Sequence, residues 1–175
     1  MTTMDAILTR QSCRGFAEGQ ITEEQLEQLI VAANAAPVGR AMFENVALSV
    51  LQDKNLFDEI ESAMKKMAPD YPNPHPLYNA PTGILVCVPG EPVADVNWMN
   101  AACVMENILL AATDMGLGST FIMGAVAAMR QNPDLCKAAK VPEGFVPVCM
   151  AIVGHSAAEV TKREATTEKF ALTRM

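Results

Sequence analysis

The residues best suited to chemistry form a short cluster near the start of the chain, Arg10-Gln11-Ser12-Cys13-Arg14. Two guanidinium groups and a hydroxyl stand close together where a predicted helix ends. Arginine suits bidentate contact with phosphate oxygens, and serine adds a hydroxyl donor. The cluster is therefore a candidate site for a small phosphorylated ligand. Taken alone, such a cluster is more often a solvated helix end, so its interpretation depends on the rest of the chain.

Several other kinds of site lack the residues that they require. The two histidines, His75 and His155, have no second ligand at a spacing typical of metal sites. The chain contains neither a G-x-S-x-G nucleophile elbow nor a G-x-x-x-x-G-K-[ST] phosphate loop. Gly116-Leu117-Gly118 precedes a predicted strand, whereas a dinucleotide fingerprint follows a strand and opens a helix. We therefore expect neither a metal site nor a Rossmann-type nucleotide site.

Composition limits the class of protein. The chain has 175 residues, 50% of them hydrophobic, and a net charge of −7, which predicts one globular domain and argues against nucleic acid as a partner. No apolar run near the N-terminus is long enough for a signal peptide, and the uncharged stretch 71–90 holds too many prolines for a membrane helix. These features predict a soluble, cytoplasmic protein without a membrane partner. The widely spaced cysteines are expected to be reduced, buried thiols: Cys13, Cys87, Cys103, Cys136 and Cys149.

Helical and strand patterns alternate along the chain and predict an α+β fold around one sheet. Helices are predicted over 4–11, 23–36, 56–67 and 96–115, with two short ones after Met123. Strands are predicted over 46–51, 82–88, 119–123 and 146–153. Thr22 and Gln25 form a capping box, Gly116 is a left-handed helix end, and Asn132 is a predicted N-cap. The proline-rich segment 68–81 is predicted to be an ordered loop or lid.

The helix predicted over 96–115 is apolar on every side. Such a helix must be covered all round, and a chain of this size has little material with which to cover it. A partner subunit would supply the cover. A central helix wrapped by its own chain is an equally good interpretation of the pattern.

Four stretches, in the right order, resemble the FMN-dependent nitroreductase family. The N-terminal cluster, continued by Gly15 and Phe16, resembles the family's opening R-R/H-S-x-R/K-x-F motif. Segment 36–39 stands where the family has a turn of the A-P-S type, and 107–119 resembles its central helix with a G-L-G-S/A exit. Segments 141–144 and 151–155 resemble its closing strand and turn. The resemblance spans nearly the whole chain.

The resemblance implies a specific architecture. It implies an α+β sandwich, in which a central, mostly antiparallel sheet is flanked by helices, and an obligate homodimer with FMN at the dimer interface. Residues 1–155 would form the FMN-binding domain. Residues 156–175 would form an arm that reaches over the partner subunit.

The resemblance also implies roles for particular residues. Arg10 and Ser12 would hold the phosphate and ribityl chain of FMN, with Gln11 beside them. Arg14 would face the ring edge on which two-electron reduction places negative charge, and would stabilise it electrostatically. No other catalytic side chain is expected. The remaining expected contacts are Pro37, Val38 and Gly39 along the ring, Met123 and Gly124 near flavin N5, and Lys162 or Arg163 at the phosphate.

The activity that the resemblance implies is that of an FMN-dependent NAD(P)H oxidoreductase. Hydride would pass from NAD(P)H through flavin N5 to a nitroaromatic, quinone or similar acceptor in a ping-pong cycle. Two alternatives are an FMN-binding redox sensor or carrier without turnover, and a relative specialised for dehalogenation or flavin breakdown. The chain departs from the family at Arg40, which follows the turn where an asparagine is common, and in segment 68–81. These departures leave the acceptor open.

Overall fold

The computed structural model describes residues 1–90 and 92–175, and over them helices and strands alternate as the sequence predicts. The helices are α1 (Thr3–Thr9), α2 (Glu23–Asn34), α3 (Lys54–Met67), α4 (Asp95–Asp114), α5 (Gly124–Arg130) and α6 (Pro133–Ala138). The strands are β1 (Ala47–Leu51), β2 (Thr82–Pro89), β3 (Gly118–Ile122) and β4 (Phe145–Gly154). Two 3₁₀ turns, Gly39–Ala41 and Phe43–Asn45, separate α2 from β1. The predicted α+β class is confirmed.

The strands form one antiparallel sheet in the order β1-β2-β4-β3, with helices on both faces. On one face α2 and α4 pack through residues such as Leu29 and Ile108. On the other face α3, α5 and α6 pack through residues such as Ile60 and Met129. Residues 82–88 of β2 are therefore all buried, as their continuous apolar pattern predicts.

The predicted helix ends are mostly confirmed. Gln25 N–H donates to Thr22 Oγ1 at 3.1 Å and Thr22 N–H donates to the Gln25 amide oxygen at 2.9 Å, which completes the capping box of α2. Gly116, which follows α4, has φ +74°, the left-handed conformation that glycine adopts without strain. Asn132 is the N-cap residue of α6, as predicted, but its side chain does not cap the helix. Its side-chain nitrogen donates back to the Ala128 carbonyl at 2.7 Å and leaves the first turn of α6 without a side-chain cap.

The longest helix, α4, is only partly covered by its own chain. One face is buried, with Val104, Met105 and Ile108 at 2% exposure or less. The opposite face carries apolar side chains in solvent: Val96 is 41% exposed and Met99 is 66% exposed, and Cys103 follows them one turn on. The pattern of a helix that is apolar on every side is thus real. The interpretation in which the chain wraps this helix by itself is wrong.

The five cysteines are free thiols, as expected, but they differ in burial. Burial raises the pKa of the Cys87 and Cys149 thiols to about 12, so both stay protonated at neutral pH. Cys103 lies exposed on α4, and Cys13 and Cys136 are half-buried, which corrects the expectation of buried thiols at these three positions. Over the described part of the chain, no helix combines the length and hydropathy needed to cross a bilayer.

Candidate functional site

The N-terminal cluster is held in place by the edge of the sheet. After α1 the chain runs along β3, where Cys13 N–H donates to the Ser119 carbonyl at 3.0 Å and the Thr120 hydroxyl donates to the Cys13 carbonyl. Further on, Ala157 N–H donates to the Gly15 carbonyl at 3.0 Å. Backbone hydrogen bonds on both sides therefore fix the segment that carries Ser12 and Arg14.

The absence of a side chain at Gly118 allows this close approach. A Cβ atom there would lie 2.7 Å from Cys13 Sγ and 3.0 Å from Cys13 Cβ, closer than packed carbon atoms come. A side chain at this position would therefore push the N-terminal segment off the start of β3. The N-terminal segment thus packs against the glycine-containing residues 116–118 that follow α4.

Two groups of predicted site residues line one cavity of about 270 Å³, which we name the tyrosine cavity. Ser12 and Arg14 come from the N-terminal segment, and Met123 and Gly124 come from the turn between β3 and α5. These pairs are more than 100 residues apart in the sequence. The other lining residues come from β3, α3 and segment 68–81: Thr120, Phe121, Ile122, Met64, Lys65, Met67, Ala68, Tyr71, Pro76 and Tyr78.

The polar groups of the tyrosine cavity include a cation and a pair of phenols. The Arg14 side chain is exposed, and no described carboxylate lies within 4 Å of it. The Tyr71 and Tyr78 hydroxyls lie 3.3 Å apart. The hydrogen bond to Tyr78 raises the pKa of Tyr71, and the positive charge of Arg14 acts in the opposite direction. The Tyr71 phenol is therefore neutral at physiological pH and keeps its proton for hydrogen bonding.

A second cavity of about 530 Å³ adjoins the first and shares Ser12 and Arg14 with it. We name it the tail cavity, because its outer wall is the segment 156–160 that follows β4. The exit of α4 at 116–118 forms another part of its wall. The two cavities therefore extend on either side of the same serine and arginine.

Of the four other predicted residues, Gln11 lines one of the two cavities, and Arg10, Lys162 and Arg163 line neither. Gln11 lines the tail cavity, and its amide donates to the Thr161 carbonyl at 3.0 Å. Arg10 points to α4, with Nε 3.8 Å from Glu106 Oε1. Lys162 pairs with Asp5, and this hydrogen bond holds the pKa of that carboxyl far below its usual range. Arg163 donates to the carbonyls of Ile7 and Leu8 at 2.8 and 3.1 Å.

The third predicted group, Pro37, Val38 and Gly39, lies elsewhere. Gly39 N–H donates to Asn100 Oδ1 at 2.8 Å, near the start of α4. Thr113, near the end of α4, lines the tail cavity. At 1.5 Å per residue these two positions on the helix are about 20 Å apart. Within one chain, the turn therefore lies far from the tail cavity, and Arg40 is exposed beside the turn.

Apart from Met123, the aromatic and methionine side chains of the tyrosine cavity were not predicted as site residues. Both tyrosines of the chain fall in the proline-rich segment 68–81. This shared location could have predicted the tyrosines as site residues, because a rigid backbone that carries phenol groups is typical of the wall of a binding site. Met64 and Phe121 gave no comparable signal, since methionines and aromatics at such spacings also serve as core.

Comparisons with known proteins agree on one family. The sequence model of the Nitroreductase family matches residues 7–155. A protein of Archaeoglobus fulgidus, provisionally named NADH dehydrogenase/NAD(P)H nitroreductase, is 27% identical over 152 residues, which are 85% of this chain and 82% of that protein. A protein of Methanothermobacter thermautotrophicus with the same provisional name is 25% identical over 168 residues, which are 90% of this chain and 78% of that protein.

Solved structures share the fold. A nitroreductase from Desulfitobacterium hafniense with bound FMN superposes with a TM-score of 0.87 at 21% identity, over 99% of this chain and 100% of that one. A nitroreductase from Bacteroides fragilis, also with bound FMN, superposes with a TM-score of 0.82 at 21% identity, over 98% of each chain.

Proposed function

Because this chain belongs to the nitroreductase family, we propose that it is an FMN-dependent oxidoreductase that passes hydride from NAD(P)H to a nitroaromatic, quinone or similar acceptor. The observation that carries the proposal is the tyrosine cavity. It joins Ser12 and Arg14 with Met123 and Gly124 although these pairs are distant in the sequence. The family motifs assign both pairs to the cofactor.

The chemistry of the two cavities fits FMN. The tyrosine cavity offers apolar and aromatic surface from Met64, Met67 and Phe121, with the Arg14 cation at its boundary. A flat ring with polar edges needs that combination. The tail cavity continues from Ser12 and Arg14 and has room for a chain that ends in a phosphate. Bound FMN supplies two-electron redox chemistry that no amino acid side chain provides.

The protein's part is binding, orientation and charge. Ser12 would donate its hydroxyl hydrogen to the phosphate and ribityl side, with Gln11 nearby. Arg10 would bind the phosphate if its guanidinium exchanges Glu106 for it. Arg14 places a fixed positive charge where negative charge grows on reduction, which favours the reduced form. Because Lys162 and Arg163 are bound to α1, either one reaches a phosphate only if its contact with α1 is exchanged.

A homodimer would complete this site. The chain exposes 10249 Å², whereas a folded monomer of 18.8 kDa exposes about 8,300 Å². The excess of roughly 1,900 Å² is of the size that a subunit interface and an extended arm would cover. The exposed apolar stripe on α4 is a candidate for that interface. In such a dimer, we propose, Pro37, Val38 and Gly39 of one subunit reach the cavities of the other, and residues 156–175 reach over the partner.

The first test is spectroscopic. We expect the purified chain to bind FMN with an absorption spectrum distinct from that of free flavin, and to bleach when NADH or NADPH is added without oxygen. Adding nitrobenzene or a quinone to the bleached protein should restore the yellow colour. Riboflavin, which lacks the phosphate, is the control and should bind more weakly.

The same experiment separates the alternatives. A yellow protein that neither nicotinamide bleaches would favour the redox sensor or carrier. Bleaching that neither nitrobenzene nor a quinone reverses would favour a specialised activity such as dehalogenation. A chain that takes up no FMN would refute both the oxidoreductase and the sensor.

A further inference from the structure

The proline-rich segment 68–81 is fastened to α3 by a buried carboxylate. Glu61 is 7% exposed. One of its oxygens accepts from Leu77 N–H at 2.8 Å, and the other lies 3.2 Å from His75 Nδ1. A carboxylate is costly to bury unless its oxygens are satisfied, and here the segment satisfies them. The anchored backbone lies directly before Tyr78, so the anchor determines where the phenol sits.

The backbone at Tyr78 is held in an unusual conformation. Tyr78 and Asn79 have φ of +57° and +58°, in the left-handed region that residues with side chains seldom occupy. Such a conformation persists only where the surroundings fix it. Here the Glu61 anchor before it and the Tyr78 N–H to His75 carbonyl bond of 2.8 Å fix it. The result is a tyrosine ring at the cavity wall with its hydroxyl 3.3 Å from that of Tyr71.

Two hydrogen-bonded phenols leave one hydrogen unused. In the pair, one hydroxyl donates to the oxygen of the other, and the second hydroxyl keeps a hydrogen for a third group. Accepting a hydrogen bond makes that second hydroxyl a better donor. The pair therefore presents one strengthened donor at the open wall of the tyrosine cavity, where Tyr71 is 47% exposed. The apolar surface around it comes from Met64, Met67 and Phe121, and the other polar lining residues are Ser12, Arg14, Lys65 and Thr120. A flat ligand with an oxygen acceptor at its edge satisfies this donor.

We propose that the Tyr71–Tyr78 pair donates a hydrogen bond to an oxygen atom of the electron acceptor and so selects flat acceptors that carry nitro or carbonyl oxygens. This inference rests on the proposed function, because it places the acceptor in the cavity that also receives the cofactor. It assigns to segment 68–81 the recognition of the acceptor. The cofactor contacts stay with the N-terminal cluster and the β3–α5 turn.

The test measures ligand binding to the oxidised, FMN-loaded protein, with no turnover. Nitrobenzene is titrated and its dissociation constant is read from the change in flavin absorption, for the parent, Tyr71→Phe, Tyr78→Phe and the double variant. Loss of one neutral hydrogen bond predicts that the double variant binds nitrobenzene about five-fold more weakly. The single variants show which phenol is the donor. Toluene, which has the same flat shape and no oxygen, should bind all four proteins equally.

Two further measurements keep the outcomes distinct. The affinity for FMN and the flavin absorption spectrum without nitrobenzene are measured for all four proteins, and a double variant that loses FMN would overturn the inference by assigning the pair to the cofactor. A double variant that binds FMN and also binds nitrobenzene as tightly as the parent would overturn the inference and leave the proposed function intact. A parent protein that binds no FMN would overturn both.

Discussion

At the scale of single residues, Arg14 has the largest role in the proposed function. It lies where the tyrosine and tail cavities meet, and it has no carboxylate partner among the described residues. An arginine in that position is available to a ligand. Arg10, four residues earlier, is instead turned towards Glu106 on α4. The two guanidiniums of the cluster should therefore differ in function.

Replacing Arg14 should change the flavin's reduction potential. Arg14→Ala removes the charge that stabilises reduced FMN, and we expect a potential about 20–40 mV lower, equivalent to roughly 1–2 kcal/mol for a two-electron couple. Arg10→Ala is the matched variant and should weaken FMN binding more than it alters the potential. Both quantities are measured by redox titration against a reference dye and by FMN titration of the apoprotein. Equal potentials in Arg14→Ala and the parent would contradict the role given to Arg14.

At this scale the motif predicted which residues lie close together better than where their side chains point. Ser12, Arg14, Met123 and Gly124 were expected together and lie together. The orientation of Arg10 was not predictable, because it depends on Glu106, which a helix brings near only in three dimensions. Lys162 and Arg163 were expected at a phosphate, and their contacts with α1 depend equally on the folded chain.

At the scale of elements, segment 68–81 shows what a local pattern conveys and what it omits. Five prolines predict an ordered, non-helical stretch, and the segment contains neither helix nor strand. Its anchor was not predictable, because Glu61 lies in an amphipathic helix, where a glutamate usually faces solvent. The Glu61 carboxylate is buried where it accepts a hydrogen bond from Leu77 N–H, sixteen residues further along the chain. The spacing of apolar residues along a helix does not predict tertiary contacts of this kind.

Removing this anchor should destabilise the protein measurably. Glu61→Ala leaves the buried Leu77 N–H without an acceptor, and we expect the free energy of unfolding to fall by about 1–3 kcal/mol. Glu59→Ala is the control, since Glu59 lies on the same helix and is exposed. That variant should stay within about 0.5 kcal/mol of the parent. Urea denaturation followed by circular dichroism measures both, and equal losses in the two variants would show that the anchor contributes nothing.

At the scale of the whole molecule, local patterns predict one sheet with helices around it, but they predict neither the strand order β1-β2-β4-β3 nor the assembly. Four predicted strands with helices between them lead to a covered sheet, as observed. The continuous apolar pattern of α4 indicates that all its faces have a neighbour. It does not reveal which face the chain itself covers, because apolar residues occur on every face of the helix. Only the fold shows that Val96, Met99 and Cys103 are left outside.

That exposed stripe leads to a prediction about assembly. A glutamate at Met99, which is 66% exposed, would place a charge at the centre of the proposed interface and leave it unpaired and desolvated in the dimer. We expect the parent to sediment as a dimer and Met99→Glu to sediment as a monomer. Because the 37–39 turn would reach the cavities only from a partner, the monomer should also lose most of its FMN on gel filtration.

Val31→Glu provides the matched control for this experiment. Val31 is 68% exposed, nearly the same as Met99, but on α2 its neighbours Gln28 and Asn34 are polar and exposed. Its substitution introduces the same charge at nearly the same exposure without touching the stripe, so this variant should remain a dimer that holds FMN. If Met99→Glu also remains a dimer, α4 is not the interface. If it becomes a monomer and keeps its FMN, one chain completes the site and the turn at 37–39 has no part in it.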